Sequence, residues 1–203
     1  MFCFAFFLLV LFGGGPLQDT PDIDRSRITI IDTGKPVTFE WTNINAGPAV
    51  GNMLNVHFYP GMNYYNAARY VPAEGEFTYV VSNSWALEAN PRRAEYLSTA
   101  HYLRGMIYFY HAIGPGRYSL ARADFQASIK WNPNNHMSYI ELSRVYSSLG
   151  FRDQAISILQ NLLALGPDEK ITTEVENELK MLKSQSAKTA PSSKTPESFD
   201  PRE

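Results

Sequence analysis

Cysteine is nearly absent: Cys3 is the single one in 203 residues. The chain therefore has no intrachain disulfide, no cysteine-based zinc site and no redox pair. An excess of charge is missing too. Eighteen Lys and Arg stand against 20 Asp and Glu, the formal net charge is −2, and 19% of residues are charged. Nothing in that balance steers the chain towards nucleic acid or an acidic membrane surface. Phosphate-cradling and nucleophile motifs are missing as well. Gly13-Gly14-Gly15 and Gly114-Pro115-Gly116 carry no GK[ST] or GxGxxG context, and no GxSxG or HExxH occurs. The four histidines are His57, His101, His111 and His136. His101 and His111 lie ten residues apart on one helical pattern, about 15 Å along its axis, too far to share a metal. Each reads as a packing or surface residue. No catalytic residue, metal or cofactor is expected; an enzyme here would need a polar pocket around His57, Tyr59 and Asp32.

Long apolar runs are scarce. The exception is Met1 to Phe12, followed by Gly13-Gly14-Gly15-Pro16. Twelve residues do not span a hydrocarbon core of roughly 30 Å, but they fit the apolar region of a secretory signal. Residues 1–15 are therefore expected to direct export to a periplasmic or extracellular space, with no stable membrane span after processing. No Lys or Arg precedes the run, which departs from the usual signal; without export the chain would be cytoplasmic. A lipoprotein anchor does not fit, because Cys3 precedes the apolar stretch.

Aromatic residues are plentiful, at 13% with 12 Tyr. Leu17 to Arg27 is acidic, contains proline and reads as a linker. Ile28–Ile31 and Val37–Trp41 are β-branched and aromatic runs separated by a Thr-Gly-Lys-Pro turn, which predicts a β-hairpin. Asn43 to Pro60 reads as irregular, with at most a short extended piece at Leu54–Phe58. Residues 16–59 thus form a linker and a hairpin or irregular segment.

Beyond Pro60 the pattern becomes helical. Tyr139, Leu142, Ser143 and Tyr146 make one stripe, Ala155, Leu159 and Leu162 another, and Gly150 breaks the two apart. A hairpin this small cannot bury its stripe alone. Asn-Pro at 90–91 and 132–133 and Gly-Pro at 166–167 place prolines 133 − 91 = 42 and 167 − 133 = 34 residues apart. The second interval is the tetratricopeptide period. In the last unit Tyr139, Leu142-Ser143, Tyr146, Ala155, Leu159 and Pro167 resemble that family's pattern. In the middle unit Gly105, Tyr108, Ala121, Phe125 and Pro133 match, His101 and Arg104 replace an aromatic and a leucine, and four residues are inserted within Ala112–Tyr118. A degenerate first unit places Ala67 and Tyr70 on a first helix and closes a second helix with Ala86 and Pro91. Asp168 can cap a final helix reaching about Lys183, with Ile171, Val175, Leu179 and Leu182 on one face.

The resemblance to the tetratricopeptide repeat (TPR) family implies a mainly α fold, a short helical solenoid. Its units fall at about 60–93, 98–135 and 136–167, with a capping helix at 168–183. The Ser-, Pro- and Lys-rich tail at 184–203 is expected to be disordered. In such repeats the first helices line a concave groove. By that resemblance the groove would present Tyr64, Tyr102, Met106, Phe109, Ile140 and Arg144, with rings as anchors and the guanidinium for a carboxylate. Tyr102, Met106 and Phe109 are alternatively buried, since Leu103–Tyr110 is apolar all round apart from Arg104. The family's carboxylate clamp is not expected, because Tyr64, Ala68 and Tyr102 stand where polar or basic residues belong. Two functions follow from the resemblance. One is an interaction module or scaffold for a protein or peptide partner; the other is an accessory subunit whose groove is filled by residues 28–59 or by a permanent partner. The sequence leaves oligomeric state open.

Overall fold

The computed structural model describes residues 25–34 and 53–189. The apolar run 1–15, the linker up to residue 24, the Val37–Trp41 arm of the expected hairpin and residues 190–203 of the tail lie outside them.

Small residues on the first helix of each hairpin set the repeat. Gly61 faces Phe77 and Gly105 faces Phe125 so closely that an added Cβ would meet either ring at 2.9 Å. Ser143 and Leu159 hold the same places in the last unit. Measured from the small residue, Tyr64, Ala73 and Phe77 follow Gly61 by 3, 12 and 16 positions, as Tyr146, Ala155 and Leu159 follow Ser143. This corrects the register expected for the first unit. Ala67 ends its first helix and Tyr70 begins its second. The first hairpin therefore already includes Met53, Leu54 and Phe58, ahead of the expected start at Pro60.

The helices are α1 (Tyr59–Asn66), α2 (Tyr70–Ser82), α3 (Arg93–Tyr110), α4 (Arg117–Trp131), α5 (His136–Ser148), α6 (Arg152–Ala164) and α7 (Glu169–Thr189). A wider turn at Leu54–Phe58 leads into α1, where the Tyr59 N–H bonds back to the Leu54 carbonyl. Pro60 lacks an N–H and its ring crowds the preceding turn, and widening that turn is the ordinary accommodation. Leu54–Phe58 is thus helical and not extended: Leu54, Phe58 and Gly61, at i, i+4 and i+7, all face the core. A short 3₁₀ turn at Ser84–Leu87 joins α2 to α3.

The turns repeat with the helices. After α5 the Gly150 N–H bonds to the Ser147 carbonyl and the Phe151 N–H to that of Tyr146. Gly150 is left-handed at φ +81°, and the Phe151 ring touches that of Tyr146, so the helix closes with a Schellman motif. After α1 the same bonds run from Ala68 to Tyr65 and from Arg69 to Tyr64, with Ala68 at φ +56°. In the middle unit the inserted residues replace this turn with strand β2 (Ala112–Ile113). It pairs antiparallel with β1 (Thr29–Ile30), Thr29 opposite Ile113 and Ile30 opposite Ala112. The Ile28–Ile31 run is therefore paired with the insertion between α3 and α4; the expected hairpin with 37–41 lies outside the described residues.

Each hairpin completes its core with the first helix of the next. Phe58, Ala73, Phe77 and Val80 bury against Leu97, Ala100 and Ile107 of α3. Tyr108, Ala121 and Phe125 bury against Leu142 and Val145 of α5. Tyr139, Ile140, Ala155, Leu159 and Leu162 bury against Val175, Leu179 and Leu182 of α7. The last helix thus takes the place of a further first helix. Asp168 caps it, its Oδ1 accepting the Ile171 N–H at 2.9 Å, and it continues past Lys183 to Thr189, so the start of the expected tail is helical.

Candidate functional site

The first helices α1, α3 and α5 and the closing helix α7 supply one continuous wall. Positions one and four after the small residue recur on it: Met62 and Tyr65 on α1, Met106 and Phe109 on α3, Arg144 and Ser147 on α5. Tyr102, Met106 and Phe109 are half-buried, packed at the edge of the second core cluster while keeping some surface. They occupy a middle state between the two expectations for them. Ile140 is corrected: it is 0% exposed, consumed by the core of the third hairpin, and presents nothing to a partner. Tyr64 sits at the position of Tyr108 and Tyr146 and packs on the first core cluster. Its neighbour Tyr65 holds the groove position.

Arg144 is on this wall, its side chain 34% exposed, but it is not a lone cation awaiting a carboxylate. Its Nη1 donates to Glu141 Oε1 at 2.7 Å and its Nη2 to Glu174 Oε1 at 3.0 Å, while Glu178 Oε2 lies at 3.3 Å. Glu141 is only 3% exposed, and its second oxygen accepts the Tyr110 hydroxyl at 2.7 Å. Burial works against the Arg144 charge, yet Glu141 and Glu178 outweigh it and hold the guanidinium above its usual range. Burial, with Glu141 nearby, pushes the Tyr102 hydroxyl up to about 12; burial and the bond to Glu141 do the same for Tyr110. Tyr65 is raised by burial, with Tyr70 and Glu141 adding to it. Three tyrosines from α1 and α3 thus sense one buried carboxylate on α5.

Two adjoining clefts open along this wall. One, of about 350 Å³, is lined by Phe109, Tyr110, Arg144, Glu178 and Met181 among others. The next, of about 410 Å³, shares Arg144, Glu178 and Met181 and adds Lys170, Thr173, Glu174 and Asn177. Together they make a trough between α3, α5 and α7. Tyr65, Tyr110, Glu141, Glu174 and Glu178 were missed from sequence. Tyr65 was findable, since it follows Gly61 by the interval at which Phe109 follows Gly105. The apolar face of α7 was the part read from sequence, and only the packing of that helix brings Glu174 and Glu178 to Arg144.

A polar set elsewhere ties the first two hairpins together. Arg104 Nε donates to Asp124 Oδ2 at 2.9 Å and its Nη2 to Oδ1 at 2.7 Å. His101 Nδ1 is 2.8 Å from that Oδ1. Arg104 Nη1 also donates to Thr78 Oγ1 at 3.0 Å, and the Tyr108 hydroxyl bonds to Glu74. Every member is on a helix–helix seam, so the role is structural. His57, Tyr59 and Asp32 do not converge. His57 Nδ1 is 2.7 Å from Glu76 and its ring stacks on Tyr79, Tyr59 meets Tyr96, and Asp32 pairs with Arg69. Among the described residues no group of three or more His, Cys, Asp or Glu could hold a metal ion, and no helix is long and apolar enough to cross a membrane.

The segment before the repeats docks on the edge formed by the turns. The Ile31 N–H bonds to His111 O and the Thr33 N–H to Ala68 O, at 2.7 and 3.1 Å. Residues 53–59, expected as part of a groove-filling segment, are instead scaffold of the first hairpin. Residues 35–52 lie outside the described ones.

No family model and no curated protein sequence matches the chain. Solved structures do. The first TPR of Spaghetti (RPAP3) bound to HSP90 peptide SRMEEVD has a TM-score of 0.50 at 19% identity, covering 67% of this chain and 97% of that one. The Arabidopsis OM64 TPR domain gives 0.45 at 18% identity, covering 66% and 95%, and the MamA protein 0.35 at 16%, covering 68% and 88%. The fold is a TPR-like helical solenoid, made among the described residues of three hairpins and a closing helix.

Proposed function

We propose that this chain is a protein-interaction module that takes a segment of another protein along the concave wall of α1, α3 and α5, ending in the trough against α7. The observation that carries the reading is the half-buried row Tyr102, Met106 and Phe109, continuous with a cleft where Tyr110 and Met181 stay 47% and 58% exposed. Rings and a thioether held by a rigid helical scaffold are the kind of surface on which binding energy concentrates. The RPAP3 structure of similar fold is described as bound to a peptide, so the architecture accommodates one. No catalytic step belongs to this reading.

Affinity capture from the native source tests it, comparing the intact chain with Tyr102→Ala and Tyr110→Ala variants whose thermal unfolding shows that they are folded. The expected result is loss of a partner from both variants, with that partner slowing hydrogen exchange in α3 and α5 of the intact chain. Unchanged capture, or protection that falls outside α3, α5 and α7, would remove the assignment.

A further inference from the structure

The chemistry of the trough selects among possible occupants. A negatively charged segment would meet Glu174 and Glu178, with Glu141 buried behind them, and the guanidinium on this wall is already engaged by all three. Lys170 lines the outer cleft, which leaves two cations for three carboxylates. Freeing Arg144 for a new carboxylate would strand Glu141, which is buried, without its ion pair. The ring faces of Tyr102, Phe109 and Tyr110 carry negative potential of their own and favour a cation. Glu174 and Glu178 both reach the same Arg144 guanidinium, at 3.0 and 3.3 Å, while Glu141 holds its other arm at 2.7 Å. Beside this charge lies apolar surface without a cover, Met181 at 58% exposure on the floor of both clefts.

We infer that the trough between α3, α5 and α7 receives a partner segment that carries a lysine or arginine next to an apolar residue, the cation meeting Glu174 and Glu178 and the apolar side chain lying on Phe109 and Met181. The inference rests on the interaction-module reading and gives its partner a chemistry. An aliphatic stem ending in a cation suits such a place, because its methylenes cover Met181 while the head stays at the carboxylates.

The test uses the full chain and three sets of synthetic peptides on one Leu/Ile frame. Their polar positions hold Lys and Arg, Ser and Asn, or Asp and Glu. Binding is followed by fluorescence anisotropy at two salt concentrations, and by the NMR signals of the Met181 methyl and the Tyr110 ring. The Lys/Arg set is expected to bind about ten-fold more tightly than the Ser/Asn set, the scale of one charge-assisted hydrogen bond. It should also weaken with salt, shift both signals, and lose that advantage in the Glu174→Gln/Glu178→Gln variant. That variant is expected to stay folded. Glutamine keeps the side-chain length and an accepting oxygen at both positions, and Arg144 keeps its bond to Glu141. Equal or tighter binding of the neutral or acidic set, with Met181 and Tyr110 shifting, overturns the cationic occupant and leaves the groove reading standing. If no set shifts those signals, both fall. An unchanged affinity of the Lys/Arg set for the double variant overturns the inference as well.

Discussion

Two buried polar residues, Ser143 on α5 and Asp124 on α4, illustrate how strictly the repeat constrains a side chain. Ser143 stands where the other hairpins have glycine, and its hydroxyl is buried with no hydrogen-bond partner. Removing an unsatisfied buried hydroxyl while keeping the Cβ is expected to gain about 1 kcal/mol. Ser143→Ala should then raise the midpoint of thermal unfolding by about 2–4 °C; a lower midpoint would show that the hydroxyl has a role the packing does not reveal. Asp124 is the opposite case. Burial alone would raise its carboxyl, but Arg104 and His101 outweigh burial and hold it below the usual range. A carboxylate with a depressed folded-state pKa contributes stability above the unfolded value, about 3.9, and loses it as pH falls through the folded one. Asp124→Asn leaves the Arg104 guanidinium buried without its counter-charge, at a cost of about 3–5 kcal/mol at neutral pH. Urea midpoints across a pH series should show that gap narrowing below about pH 4, because the wild-type loses its advantage there.

At the scale of elements, the hairpin of α5 and α6 was legible because its markers all agree: small residue, tyrosine, alanine, glycine turn and closing proline. The first hairpin was read out of register although Gly61, Tyr64, Ala73 and Phe77 keep the same spacing. Pro60 suggests a loop from sequence, and only the widened turn before it shows how a helix passes through. In the groove, Tyr102, Met106 and Phe109 had been placed by resemblance to the family, and they stand half-buried at the edge of a core cluster. Ile140 failed because α7, unlike a solvated cap, covers that part of α5. Strand β1 was legible from its β-branched run, but its partner was not. Two residues, Ala112–Ile113, in a Gly- and Pro-containing insertion give no period to read. Two glycines permit the docking. A Cβ on Gly34 would come within 1.7 Å of the Ala67 carbonyl oxygen, and one on Gly114 within 2.2 Å of the Arg27 carbonyl oxygen. Gly34→Ala should therefore release the end of the segment. Its expected signature is loss of exchange protection at the Thr33 amide first and the Ile31 amide next. Global stability should fall by about 1–2 kcal/mol as Ile28 and Ile30 lose part of their burial. Retained protection at Thr33 would mean that the contact can shift without breaking.

For the whole molecule, the division of the core follows the chain. Each cluster is built by one hairpin and the helix after it, so stability passes between nearest neighbours, as in other stacked repeats. The two ends of the stack are unequal. The first hairpin is tied to the second by the bonds from Arg104 to Thr78 and from Tyr108 to Glu74, and the β1 segment bridges the turns of both. At the other end α7 relies on Val175, Leu179 and Leu182 against the third hairpin, with the Arg144 ion pairs at the margin. Helix α7 is therefore the place where the array opens first, and it also carries Glu174, Glu178 and Met181 of the trough. Leu179→Ala removes a buried leucine from that seam and should cost about 2–4 kcal/mol locally. In hydrogen exchange, amides of α7 should lose protection most, those of α5 and α6 by a smaller amount, and those of α1 and α2 hardly at all. Binding at the trough should weaken in the same proportion as α7 opens, because the wall that carries its carboxylates leaves with the helix. A uniform loss of protection from α1 to α7 would instead show that the three hairpins unfold as one cooperative unit, and the nearest-neighbour account would be wrong.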